Sequence, residues 1–187
     1  MPKRMNYTKY LACILIFLVV STLTLAGYKI FQVYTHPIKY REEIELIGYK
    51  TNTPPELIAS IINVESSYRA NARSNKDACG LMQIKVTTAN YVADLNHLDY
   101  VTEDELFNIE TNMKYGTLYL QYLINKFDVL DTALAAYNAG ETIVRNWLND
   151  GIHSTDGKTL NYIPFKETRD YVEKIKDNIK FYMKIYN

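Results

Sequence analysis

Hydrophobic and polar positions divide the chain into one long apolar run near the start and a longer region of helical periodicity after it. Residues 10–28 carry no charged side chain, and a helix of that length reaches about 28 Å, close to the thickness of a bilayer core. The run is therefore predicted to cross a membrane. Lys3, Arg4 and Lys9 precede it. The positive-inside rule then predicts a cytoplasmic segment 1–9, a signal-anchor over 10–28 and an exported remainder.

A cleaved signal peptide is the alternative interpretation of the same run, because Thr24-Leu25-Ala26 is an acceptable site for signal peptidase. The apolar character continues through Ile30, Phe31 and Val33, beyond the length of a typical signal sequence, which favours the anchor. Both interpretations export the rest of the chain.

Residues 29–38, which include Pro37, are predicted to be a tether, and residues 39–187 a single domain. The domain repeats apolar residues at three- and four-residue spacing, and no alternating pattern long enough for a sheet interrupts it. An all-α fold is predicted, with a small irregular or β-like segment near 71–84 at most. Helices are expected over 87–97, 109–127, 130–138, 141–149 and 167–185.

The clearest helix start is the sequence Thr53-Pro54-Pro55-Glu56, which is predicted to be a capping box with proline at the first helical position. An apolar stripe follows through Leu57, Ile58, Ile61 and Ile62, and Glu65 extends it. A carboxyl group on such a stripe resists ionisation, because burial disfavours its charged form and raises its pKa. A proton held near neutral pH is what a general acid needs to break a glycosidic bond.

Composition narrows the possible ligands of the exported part. The chain has two cysteines, too few for a disulfide framework, and 21 basic and 21 acidic residues. Removing residues 1–9 takes away three basic residues, so the remainder is mildly acidic and is not expected to bind nucleic acid. Seventeen tyrosines suit a polysaccharide ligand. No metal or other cofactor is expected, since the histidines lack ligand spacing: His36, His97 and His153.

Four separated blocks resemble the catalytic domain of the soluble lytic transglycosylases, which is similar in fold to goose-type lysozyme. Glu65-Ser66-Ser67-Tyr68 resembles the catalytic Glu-Ser motif of that family, with Ser74 nine residues after the glutamate. The other blocks, in the family's order, are residues 80–84 (Gly-Leu-Met-Gln-Ile, continued by Thr88-Ala89), 136–140 (Ala-Tyr-Asn-Ala-Gly) and 163–172.

The resemblance implies a lysozyme-like domain and a role for each matched residue. Glu65 would be the catalytic acid and base, while Ser74 and Gln83 would hydrogen-bond the sugar and its acetamido group. Tyr137 would lie against the reacting ring, and Asn138 would support that loop. Glu167 and Arg169, in the last block, are expected to be structural.

The sequence departs from the family at two positions. Lys85-Val86 stands where a methionine-like residue and proline are usual, and this cation could alter a subsite or contact the acidic peptide stem of the substrate. Cys79 precedes Gly80 where a small or variable residue is usual, and its thiol is expected only to pack.

The resemblance implies that peptidoglycan glycan strands are the substrate and that the product is a 1,6-anhydromuramic end. The apolar run at residues 10–28 predicts that the membrane is contacted through the N-terminal helix. One catalytic carboxyl group suits that route, since ordinary glycosidases need two. A water-using muramidase assisted by Asp77 or Asp94 is a rival hypothesis. A catalytically silent wall-binding module is another. The sequence does not indicate protein partners.

Overall fold

The computed structural model describes residues 7–186 of the chain. Residues 1–6 of the predicted cytoplasmic segment 1–9, and residue 187 at the end of the predicted domain, lie outside the described residues. Internal contacts divide the chain into two units between residues 38 and 39.

The described residues of the first unit, 7–38, contain one helix, α1, over Tyr7–Thr35. It is 29 residues long with a mean hydropathy of 2.3 over its most apolar window, and by length and composition it can cross a membrane. The helix continues past the predicted span of 10–28, so that residues 29–35 of the predicted tether are helical. It ends shortly before Pro37, as expected because a proline disfavours helical backbone in the residue that precedes it.

The second unit is built from helices throughout, as the residue spacing predicts. Within residues 7–186 there is no named strand, and the segment 67–85 carries two isolated β-bridges that join Cys79 to Arg73 and to Ile84. The all-α prediction with a small irregular segment is confirmed. The elements are α2 (Arg41–Thr51), α3 (Pro55–Ser66), α4 (Val86–Asn96), a 3-10 turn (Asp104–Phe107), α5 (Ile109–Phe127), α6 (Leu130–Ala139), α7 (Glu141–Leu148) and α8 (Lys166–Tyr186).

The predicted capping box at the start of α3 is wrong. Pro54 occupies the N-cap without a side-chain hydrogen bond, and Pro55 begins the helix. Thr53 is buried against the end of α2, where its backbone N–H donates to the Gly48 carbonyl at 2.9 Å. Its hydroxyl lies 3.1 Å from the Thr51 hydroxyl, from which it accepts a hydrogen bond. Thr53 therefore forms hydrogen bonds with the end of α2 and not with the start of α3. Helix α3 begins one residue later than predicted.

In the second unit, α3 packs along α8. Leu57, Ile58, Ile61 and Ile62 are all buried, in agreement with the predicted stripe. Burying a large aliphatic side chain stabilises a fold by about 1.5–3 kcal/mol. The facing side of α8 supplies buried residues at three- and four-residue spacing, which are Thr168, Tyr171, Val172, Ile175 and Tyr182. The last turn of α3 and the first turns of α8 therefore lie side by side.

Candidate active site

Glu65 lies in the last turn of α3, immediately before the chain reverses direction. Ser67 and Tyr68 both adopt left-handed backbone conformations, with φ of 51° and 61°. This turn ends the helix and returns the Tyr68 ring to the core, where its hydroxyl donates to the Ala59 carbonyl at 3.4 Å. Glu65 is left at the helix end beside α8.

The carboxyl group of Glu65 is partly buried, and burial is the main reason why its pKa rises from 4.5 to about 7. The Tyr171 hydroxyl donates to Glu65 Oε1 at 2.8 Å and opposes this rise, because it stabilises the ionised form. The negative charge of Glu167 raises the pKa further. Glu65 can therefore hold a proton near neutral pH and also release it.

Glu65 opens onto a cavity of about 440 Å³. The predicted site residues all line this cavity, although they come from separate parts of the chain: Glu65, Ser74, Gln83, Tyr137 and Asn138. A cavity of this volume falls in the range of small-molecule and sugar sites. The tertiary structure thus brings together residues that the sequence matched only as isolated blocks.

Gln83 adopts an unusual backbone conformation, with φ of 48°. Its amide nitrogen donates to the Gly80 carbonyl at 2.8 Å and to the Ala72 carbonyl at 3.1 Å. Both donors are therefore used within the loop. The amide oxygen has no described partner and can accept a hydrogen bond from a ligand in the cavity.

The loop that carries Gln83 is held by the side chain of Asn112 on α5, which is 1% exposed. The Asn112 amide accepts from the Met82 N–H at 2.8 Å and donates to the Cys79 and Leu106 carbonyls at 2.8 and 2.7 Å. Gly80 has φ of 74°, and a β-carbon there would overlap Asn112. Glycine is required at this position both by the backbone conformation and by the close approach.

Tyr137 and Asn138 end α6 at the other side of the cavity. The Tyr137 hydroxyl donates to the Met82 carbonyl at 2.9 Å, and burial holds the pKa of the phenol well above its usual value. Asn138 Oδ1 accepts from the Thr168 hydroxyl at 2.8 Å, which ties α6 to α8. Tyr137 thus presents a fixed neutral ring.

Ser74 has a local structural role as well as its place in the cavity wall. Its Oγ accepts from the backbone N–H groups of Lys76 and Ala78, at 3.2 and 3.1 Å. These hydrogen bonds close the turn at residues 74–78, which precedes the two β-bridges of Cys79. The hydroxyl proton is left to donate elsewhere.

Sequence reasoning missed two residues of α8 near Glu65. Tyr171 was part of a matched block but had no role, and Glu167, which was expected to be structural, is exposed and lines the cavity. Their four-residue spacing at the start of a helix was the available signal, since such residues share a face. Arg169 is structural as expected, since its guanidinium donates to the Ile163 and Pro164 carbonyls at 2.5 and 3.0 Å.

The two other acids considered as catalytic partners do not line this cavity. Asp77 lies 3.4 Å from the Arg73 guanidinium, and Asp94 accepts from the Tyr100 hydroxyl at 2.6 Å. Glu167 is the second carboxyl group in the cavity wall among residues 7–186.

The cavity wall also carries Lys85, at the N-cap of α4, and Lys76, both exposed. Cys79 is buried and packs against the residues behind the loop, including Ile84 and Leu106. No group of three or more metal-ligating side chains is found in the part of the chain that the structure describes.

The chain is similar to known proteins over most of the second unit. The family profile described as "Transglycosylase SLT domain" matches residues 43–158. The soluble lytic murein transglycosylase of Escherichia coli K12 is 32% identical over 142 residues, which are 74% of this chain and 22% of that protein. The membrane-bound lytic murein transglycosylase C of Edwardsiella ictaluri is 28% identical over 174 residues, covering 79% of this chain and 47% of that protein.

Solved structures show the same likeness. An inactive mutant of the lytic transglycosylase Slt from Pseudomonas aeruginosa matches with a TM-score of 0.72 and 28% identity, covering 82% of this chain and 25% of that one. The 70 kDa soluble lytic transglycosylase of Escherichia coli matches with a TM-score of 0.69 and 29% identity, over 80% and 25% of the two chains.

The match covers only part of each relative, since this chain spans about a fifth of the length of the soluble enzyme from Escherichia coli. Within this chain, the profile extends from α2 to the loop after α7 and includes Glu65, Ser74, Gln83, Tyr137 and Asn138. Because this match covers more than half of the residues, and the fold agrees with it, the chain belongs to the transglycosylase SLT domain family.

Proposed function

We propose that the chain is a peptidoglycan lytic transglycosylase that cleaves the β-1,4 bond between N-acetylmuramic acid and N-acetylglucosamine without water. The observation that carries the proposal is a partly buried Glu65 with a pKa of about 7 on the wall of a sugar-sized cavity. Every family relative named above is a lytic transglycosylase, which supports the same activity.

The reaction begins with Glu65 in its protonated form. Glu65 donates its proton to the glycosidic oxygen, the bond from that oxygen to the muramoyl C1 breaks, and positive charge develops on the ring. The carboxylate that remains is stabilised by the Tyr171 hydroxyl. Glu65 then takes the proton of the C6 hydroxyl, whose oxygen bonds to C1 and forms the 1,6-anhydro ring. The acid is regenerated, and no water is consumed.

The other predicted residues position the sugar in this proposal. Gln83 accepts a hydrogen bond from the acetamido N–H through its amide oxygen, and Ser74 donates its hydroxyl proton to a sugar oxygen. Tyr137 lies against the reacting ring, where a neutral aromatic face suits the C–H face of a sugar. Asn138 holds Tyr137 by its bond to Thr168.

Glu65→Gln in the full chain tests the activity. The amide keeps the shape of the side chain but has no acidic proton to transfer to the glycosidic oxygen, so we expect release of muropeptides from purified sacculi to fall by at least about 100-fold. Mass spectrometry of the products tests the route. Products with 1,6-anhydro ends support the proposal, whereas reducing ends identify a muramidase, in which Glu167 is the candidate second carboxyl group.

Glu56, a partly exposed residue in the first turn of α3, offers a matched control, since Glu56→Gln changes the same helix away from the cavity and is expected to keep full activity. If Glu65→Gln digests sacculi as fast as the unchanged chain, the proposed chemistry is wrong. If neither the unchanged chain nor Glu65→Gln digests sacculi, the hypothesis of a silent wall-binding module is favoured.

We further propose that α1 anchors the protein, with the N-terminus in the cytoplasm and residues 39–187 outside. The apolar length of α1 and the basic residues Lys3, Arg4 and Lys9 support this orientation. The membrane-bound relative from Edwardsiella ictaluri supports membrane association. Cleavage after Ala26 is the alternative, and it would release the same domain on the same side.

A further inference from the structure

Four tyrosines form a continuous row from the cavity to the protein surface. Tyr137 and Tyr119 line the cavity, and their ring centroids are 5.4 Å apart. Tyr119 is followed by Tyr122 at 6.3 Å with nearly parallel planes, and Tyr122 by Tyr91 at 5.5 Å. The outermost ring, Tyr91, is 44% exposed. This tyrosine row joins α6, α5 and α4.

Hydrogen bonds hold the outer half of the tyrosine row in place. The Tyr91 hydroxyl donates to the Tyr122 hydroxyl at 3.0 Å, which itself donates to Glu141 Oε2 at 2.8 Å. Lys126 Nζ lies 2.7 Å from the same Tyr122 hydroxyl and 2.7 Å from Glu141 Oε1. Arg145 pairs with Glu141 at 2.8 Å. The rings are therefore ordered before any ligand arrives.

Packing alone does not explain this arrangement. A tyrosine that only fills the core is buried, whereas Tyr91 is largely exposed and Tyr122 is partly exposed. Rigid aromatic rings bind ligands with a small loss of conformational entropy, and the hydroxyl groups add hydrogen bonds. The centroids of neighbouring rings are 5.4, 6.3 and 5.5 Å apart, so the row offers several aromatic contacts in succession from the cavity outward.

We propose that the tyrosine row is an extended glycan-binding surface, on which Tyr122 and Tyr91 hold sugars of the strand beyond those next to Glu65. The inference rests on the proposed function for its substrate class. Its own support is the continuity of the row with the cavity through Tyr119. Uncharged sugar rings are the ligand, because the charged groups behind the row are already paired with one another.

The test compares long and short substrates. Tyr91→Ala in the full chain removes the outermost ring, so we expect kcat/KM on long glycan strands to fall about 3- to 10-fold, the effect of losing roughly 0.7–1.4 kcal/mol of aromatic contact. We expect the rate on a tetrasaccharide to stay unchanged, because in the proposed arrangement Tyr91 holds sugars beyond those next to Glu65. Tyr91→Phe keeps the ring and should retain most of the activity on long strands.

Tyr49→Ala is the matched control, because Tyr49 lies on α2 away from the row and is 88% exposed. It should change neither substrate's rate. The inference is wrong if Tyr91→Ala lowers the rate equally on long strands and on the tetrasaccharide, or if it lowers neither rate. The proposed function would not be affected by either outcome.

A binding measurement keeps the inference separate from catalysis. In a Glu65→Gln, Tyr91→Trp double variant, addition of long strands should shift the tryptophan emission, whereas the tetrasaccharide should not. The same titration of Glu65→Gln alone corrects for the natural Trp147. If long strands shift the emission of the double variant no more than that of Glu65→Gln alone, the tyrosine row is not a glycan-binding surface. This outcome would not affect the proposed lytic activity.

Discussion

At the scale of single residues, the hydrogen bond from Tyr171 to Glu65 should control the pH dependence of activity. Glu65 must be protonated to act, so the rate should fall as pH rises through about 7. The Tyr171 hydroxyl lowers the pKa of Glu65, and Tyr171→Phe removes that effect. We expect the alkaline limb of the profile of kcat/KM to move to higher pH.

The control for this shift lies on the same helix, because Tyr182 is buried in α8 and does not line the cavity. Tyr182→Phe should leave the alkaline limb at its original pH. A Tyr171→Phe profile that is unchanged, or that moves to lower pH, would contradict the assigned direction of the hydrogen bond.

Lys85 gives a second prediction at this scale. It stands in the cavity wall where the family usually has an apolar residue, and the peptide stem of peptidoglycan carries carboxylates. Lys85→Met should reduce the preference for peptide-bearing strands over peptide-free strands by about 1.4- to five-fold, since an exposed ion pair contributes roughly 0.2–1 kcal/mol. Competition between the two substrates measures the preference. Lys158→Met, at an exposed position outside the cavity, should not alter it.

At the scale of secondary-structure elements, Asn112 joins α5 to the loop that carries Gln83. Asn112→Ala removes the hydrogen bonds of Asn112 to the Met82 N–H and to the Cys79 and Leu106 carbonyls, of which the Cys79 carbonyl still accepts from the Ile84 N–H. We expect the free energy of unfolding to fall by roughly 2–5 kcal/mol. Urea denaturation measures the change.

Asn125 on the exposed face of α5 is the control for this prediction. Asn125→Ala should change the free energy of unfolding by less than about 0.5 kcal/mol, as is usual for surface positions. A loss of stability that is equal for the two alanine variants would mean that the Asn112 network does not hold the loop.

At the scale of the whole molecule, retention or cleavage of α1 determines whether the domain stays attached to the membrane. We expect the full chain to remain in the membrane fraction with its N-terminal segment attached, because α1 is apolar over a length sufficient to cross the bilayer. Mass measurement of the protein recovered from cells tests this, and external protease should digest the domain. A soluble product that begins at Gly27 would instead establish a cleaved signal peptide.

The order and limits of the helices after Lys85 were available from the sequence. Apolar spacing and chain-breaking residues act locally, and the predicted helices after Lys85 agree with the structure to within one residue at each end. Before Lys85 the limits agree less well, because α1 extends beyond the predicted span of 10–28 and no limits were predicted for α2. A further exception is Thr53. Its side chain faces the end of α2 rather than the start of α3, and that contact depends on how two helices meet.

The candidate site likewise has one part that the sequence predicted and another part that only the tertiary structure decided. The matched blocks were enough to name Glu65 and the four residues expected around it, because each block is a local sequence. The placement of Tyr171 and Glu167 beside Glu65 was decided by the packing of α3 on α8, which joins residues 106 positions apart. The pKa of Glu65 follows from that packing, since burial and neighbouring charges arise only when the helices come together.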